Sequence, residues 1–264
     1  MITIIMVMTT IITPTCAPFA IRAWAGDMAR KTPNRATAHR LYRLLAWLSP
    51  AFPVGGFSYS HGLETAISEG RITDRATLER WIAGILAHGG GRTDAMLFCA
   101  AWRAVRSRDH VAFVRAAEWA AAMRGSAELA LESTAQGEAF LSTLAAAWPA
   151  IGLAPWRQHL READVTATYP VAVALAAACA GVPLAPALAG YLQAFAAGLV
   201  AAGLKLIPLG QTDGQRLIAA LEEVVLACAD NATTRPISEL GSAAPIVDLL
   251  SMRHETQYTR LFRS

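Results

Sequence analysis

From Ala38 onward apolar residues recur every three or four positions, the spacing of one helix face. Leu41, Leu44, Leu45 and Leu48 fall on one face of a first short helix, ended by Ser49-Pro50. Leu78, Trp81, Ile82, Ile85 and Leu86 predict another, capped by Asp74 and stopped by Gly89-Gly90-Gly91. Thr93 is expected to open the next, with Met96, Leu97, Ala100 and Ala101 inward. Asp109 caps a helix through Met123, and Gly125-Ser126 starts a longer one toward Trp148-Pro149. Thr212 and Gln215 have the spacing of a capping box before Leu217, Ile218, Leu221, Val224 and Val225. No long alternating strand pattern interrupts this periodicity. The expected fold is all-α: a single-domain multi-helix bundle with short loops.

The segment from Val171 to Leu204 is apolar enough to raise a membrane span, but Gly181, Pro183 and Pro186 divide it. Its first piece has about ten residues, roughly 15 Å of helix, too short to cross a bilayer. Two alanine-rich core helices are the expectation. Residues 1–37, opening MITIIMVMTTIITPTCAPFA, lack a basic start and read as a disordered extension or a misassigned start, with Met28 as the alternative. The helical domain is expected over 38–264.

Composition sharpens the picture. Apolar residues make up 54% and charged residues 16%, which suits a protein that hides apolar surface in an oligomer or complex. A net charge of +3 with no basic stripe argues against nucleic acid. Cys16, Cys99, Cys179 and Cys228 are far apart and form no CxxC pair, so buried free thiols are expected.

The candidate chemistry is thin. In SPAFPVGGFSYSHGLE, Gly56-Phe57-Ser58-Tyr59-Ser60 approaches a nucleophile elbow, but Ser60 stands where GxSxG needs glycine and no strand precedes it. Gly210 to Gln215 lacks the lysine of a phosphate loop. The histidines never form HxxxH. An enzyme or metal handler using Ser58, His61 and His254 is the alternative reading. The prolines, glycines, Phe57 and Tyr59 instead suit a stiff contact surface, with a helix from Ser58 that places Glu64 beside Ser60. The end of the chain, GSAAPIVDLLSMRHETQYTRLFRS, has a helix opened by Pro245 with Ile246, Leu249 and Leu250, then a run rich in arginine and aromatics. That is the composition of interface hot spots.

LxxxSPAFPVGGFSYSHGLE, then Leu206-Ile207-Pro208-Leu209-Gly210-Gln211, then SAAPIVDLLSMRHETQYTRLFRS together resemble the urease accessory protein UreF family, over Leu41 to Ser264. The resemblance implies a cytoplasmic, all-helical homodimer that joins UreD (also called UreH) and the GTPase UreG and docks on apo-urease. GTP hydrolysis by UreG is then coupled to nickel insertion. It implies an adaptor and modulator of the GTPase rather than an enzyme, with no cofactor, no resident metal, no nucleic acid and no membrane. Carried onto matching positions, the partner-binding candidates are Phe57, Ser58, Tyr59, Gly62, Glu64, Lys205, Arg253, His254, Glu255, Tyr258, Arg260 and Arg263. On this reading Glu64→Ala leaves the fold intact. Deleting Met252 to Ser264 abolishes UreD binding with helicity nearly unchanged.

Overall fold

The computed structural model describes residues 34–264, and among these every regular element is helical. The reading of residues 1–37 therefore lies almost wholly outside the described residues. Arg35 already opens the first helix, α1 (Arg35–Trp47), three residues before the expected boundary.

The core is built on α4 (Gly90–Ser107) and α8 (Tyr169–Cys179). Pro170 to Ala178 are all buried, as expected of a helix apolar on every side. Its small side chains let neighbours come close. α4 packs along it, and α6 (Ala127–Ala147) covers another side. At Gly137 of α6 a Cβ would stand 2.1 Å from the Ala167 carbonyl oxygen and 2.8 Å from the Thr168 carbonyl carbon. Only glycine permits this approach. α3 (Arg75–His88), α5 (His110–Ala122) and α11 (Glu222–Thr234) complete the shell around α4. α7 (Ala154–Glu162) packs on α5.

α9 (Leu184–Leu206) is long and apolar enough to cross a membrane by length and composition, yet it lies within the bundle against α3, α4, α8, α10 (Gln211–Ala220) and α11. Both expected alanine-rich core helices are therefore present. Beside them Asp94 accepts hydrogen bonds from Arg124 Nη2 at 2.7 Å and from the Tyr191 hydroxyl at 2.8 Å. Burial opposes the Arg124 charge, but Asp94 outweighs it and raises the guanidinium pKa. Burial, with the Asp94 charge behind it, pushes the Tyr191 phenol well above its usual value.

Local capping follows the sequence at three places. Asp74 accepts from Thr77 N at 2.8 Å, Asp109 from Ala112 N at 2.9 Å and Ser126 from Leu129 N at 3.1 Å. Elsewhere the structure corrects the expectation. Gly89 alone separates α3 from α4, which begins at Gly90 rather than Thr93. α10 starts after Gly210, and Asp213 Oδ2 accepts from Gly210 N at 3.4 Å, so Thr212 is not the cap. In α1, Leu44 and Trp47 turn inward while Leu41 and Leu45 are exposed, because Trp47 anchors the helix edge-on against Trp148. Cys99 and Cys228 are buried and Cys179 half-buried, all three free, with burial pushing each thiol up to about 11. Cys16 lies outside the described residues.

Candidate functional site

The stretch from Ser49 to Glu64 does not form a helix from Ser58. A short 3-10 turn spans Gly56–Ser58, and α2 (Leu63–Ser68) begins only after His61 and Gly62. Both take left-handed backbone, with φ of 57° and 74°. Gly62 is required there twice over: its φ suits glycine, and a Cβ would come within 3.1 Å of Ser251 N on α12 (Pro245–His254). α12 thus packs directly on α2, with Val247, Leu250, Ser251 and His254 buried. Ile246 and Leu249 are exposed.

The tail after α12 folds back onto this stretch. Arg263 N donates to the Ser58 carbonyl at 2.8 Å, and Ser60 N donates to the Ser264 backbone oxygen at 2.8 Å. The Ser60 hydroxyl donates to the same oxygen. Glu64 supplies the centre of the clasp. Its carboxylate accepts Leu261 N at 2.7 Å on one oxygen and Phe262 N at 2.9 Å on the other. Two backbone donors that the irregular tail would otherwise leave unpaired are satisfied by one side chain.

His254 extends the cluster. Its Nε2 lies 3.1 Å from Glu64 Oε2 and its Nδ1 2.7 Å from Glu128 Oε2, with the side chain fully buried. Each imidazole nitrogen faces a carboxylate oxygen, so the ring is held from both sides. Arg260 donates to the other Glu128 oxygen at 2.9 Å. Glu64, His254, Glu128 and Arg260 thus form one connected polar chain from the interior to the surface. Ser264 Oγ donates to Glu132 at 2.7 Å, and His61 Nδ1 lies 3.8 Å from the same carboxylate.

The candidate residues divide by this geometry. Gly62, Glu64 and His254 are buried and hold the chain's own tail, so the surface placement expected of Glu64 is corrected. Glu64→Ala would strip the tail's backbone donors of their acceptor, against the expectation of an intact fold. Deleting Met252 to Ser264 would likewise remove His254 and the buried Phe262. Phe57 and Tyr258 are 77% and 102% exposed. Ser58 and Tyr59 are half-buried. Arg263 is exposed, Arg253 pairs with Glu69 at 2.8 Å, and Glu255 accepts from Ala127 N at 3.1 Å at the start of α6. Lys205, in the last turn of α9, donates to the Phe57 carbonyl at 3.3 Å and lies 5.3 Å from the centre of the Phe262 ring. The structure thus brings both ends of the sequence pattern onto one face. Glu128, Glu132 and Glu69 were not singled out; they are acidic residues at a helix start, mid-helix and a helix end, which is no signal of a tail contact.

The alternative chemistry gains no assembly from this arrangement. Both His254 nitrogens face carboxylates, and Ser58 offers its carbonyl to Arg263. Among the described residues, no hydrogen bond joins Ser58, His61 and His254. Fold and site define an all-helical protein whose buried polar cluster holds a terminal segment in shape.

The UreF family model matches residues 72–222. A urease accessory protein UreF of Granulibacter bethesdensis is 50% identical over 224 residues, covering 85% of this chain and 94% of its own. That of Rhodopseudomonas palustris strain BisB18 is 50% identical over 233 residues, with coverages of 88% and 95%. The Bradyrhizobium diazoefficiens protein is 48% identical over 240 residues, with 91% and 96% covered. The chain belongs to the UreF family of urease accessory proteins.

Proposed function

We propose that this chain is the adaptor of a UreD–UreF–UreG assembly that docks on apo-urease and supports GTP-dependent nickel insertion, with the chain modulating the UreG GTPase. It works in the cytoplasm as a homodimer and makes or breaks no covalent bond itself. Family membership supports the urease pathway. The single structural observation that carries the adaptor reading is the clasped face. Two large aromatic side chains, Phe57 and Tyr258, stand in solvent on a rigidly hydrogen-bonded segment, with Lys205, Arg253, Arg260 and Arg263 around them. Rigid aromatics and arginines lose little entropy on binding and dominate interface energies.

The test separates contact from folding. Phe57→Ala, Tyr258→Ala and Arg263→Glu together, in the full chain, leave the denaturation midpoint unchanged and reduce capture of UreD or UreG by at least about tenfold. Undiminished capture of both partners by a folded triple variant overturns the reading.

A further inference from the structure

A small cavity of about 30 Å³ lies where the loop before α2, the start of α4 and the first turn of α12 meet. Two glycines make its space. A Cβ on Gly90 would stand 3.2 Å from His61 Nε2, and one on Gly125 would stand 2.5 Å from Asp248 Oδ1. The imidazole and the carboxylate therefore reach the cavity across bare backbone.

Other polar groups on its wall are already engaged. The Thr93 hydroxyl donates to the Gly90 carbonyl at 3.0 Å. Arg124 donates to Asp94 at 2.7 Å and to the Ala120 carbonyl at 3.0 Å. His61 and Asp248 differ. The His61 side chain is only 8% exposed, and its Nδ1 lies 3.8 Å from Glu132, beyond hydrogen-bond reach. Phe195 meets the ring edge-on. Among the described residues, no side chain or backbone group hydrogen-bonds the His61 ring or the half-buried Asp248 carboxylate. Native interiors seldom leave such groups unpaired.

Chemistry selects the occupant. It must donate to a carboxylate, bond an imidazole nitrogen and fit the space. An organic molecule exceeds the volume, and an anion meets Asp248. Among the described residues, no group of three or more His, Cys, Asp or Glu side chains could hold a metal ion here. Water meets each requirement. It needs roughly 10–15 Å³, and it can donate to the carboxylate while bonding either imidazole tautomer.

We propose that one or two bound water molecules bridge the His61 imidazole to the Asp248 carboxylate. The bridge ties the loop that receives the tail to the first turn of the helix that leads into it. It does not rest on the proposed function.

Oxygen-17 relaxation dispersion on the full chain counts water molecules that stay longer than the protein takes to tumble. Asp248→Leu, close in shape but without hydrogen-bonding atoms, is expected to lower the count by about one, while Asp248→Asn leaves it unchanged. Gly90→Ala, whose methyl presses on Nε2, is expected to lower it from the other wall. A crystal structure is expected to show a water oxygen within about 3.2 Å of both groups. A count unchanged in Asp248→Leu and in Gly90→Ala overturns the proposal. So does a crystal structure in which the two side chains bond each other directly or the cavity is dry. Stoichiometric nickel or zinc binding that Asp248→Leu abolishes also overturns it, because the occupant is then a cation. Should Asp248→Leu fail to fold, Gly90→Ala and the native crystal structure decide.

Discussion

Glu64 Oε2 and His254 Nε2 lie 3.1 Å apart, with both side chains withdrawn from water. The same carboxylate holds two backbone N–H groups of the tail, so it carries both the imidazole contact and the tail's path. Losing one partner of such a cluster leaves the others buried and uncompensated, which costs more than the net worth of the bonds. Glu64→Ala is expected to lower stability by about 3–5 kcal/mol. It should also release the residues after His254 to limited proteolysis. Glu64→Gln retains one acceptor oxygen and falls between. An unchanged denaturation midpoint in the alanine variant would show that the clasp contributes nothing.

The three thiols give a second test. Burial raises Cys99, Cys179 and Cys228 to about 11, so at pH 8 only about one in a thousand of each is the reactive thiolate. Alkylation at pH 8 is therefore expected to be far slower at these positions than in denaturant. Peptide mapping after a timed iodoacetamide pulse measures it. Equal rates in the native and denatured protein would contradict this burial.

The sequence was most readable where the chemistry is local. Asp74, Asp109 and Ser126 each bond an amide three residues on, and a side chain that near in sequence needs no tertiary fold to find its partner. Alanine-rich α8 and α9 were legible for a similar reason, since composition alone argues core helices, although only α8 is buried on every side. The clasp was not. Leu261 and Glu64 are 197 positions apart, and nothing near Glu64 says that its oxygens will receive a returning tail. The same stretch read as a surface is half correct: Phe57 faces water while Glu64, seven residues later, turns inward. On α1 four leucines predicted one shared face, but periodicity fixes only their angular spacing. Trp47, the larger residue, decides which side meets the core.

Gly137 is expected to tolerate no side chain. The clash falls on the backbone of Ala167 and Thr168 rather than on a movable side-chain end. α6 would have to move away from the start of α8, loosening the most buried part of the molecule. Gly137→Ala should cost roughly 2–4 kcal/mol despite the better helix propensity of alanine. A chemical denaturation curve measures it, and a stabilised variant would refute the close approach.

Asp248 sets the direction of a pH effect. Partial burial raises its carboxyl pKa above 3.8, with the nearby His61 pulling the other way. A raised folded-state pKa means that the stabilising form is the protonated one. That contribution is full below the unfolded value near 3.8 and is lost as pH rises through the folded value. At neutral pH the charged carboxylate therefore opposes folding slightly. Asp248→Asn has nearly the same shape and should fit against Gly125 as the aspartate does. It is expected to raise the unfolding free energy at pH 7 by under about 1 kcal/mol, because the site is partly solvated. The gain should shrink as pH falls toward 3.8. Midpoints of both proteins across that range check the sign. A variant less stable at pH 7, with the difference closing in acid, would instead mean that the ionised aspartate stabilises the first turn of α12 as a helix N-terminal charge.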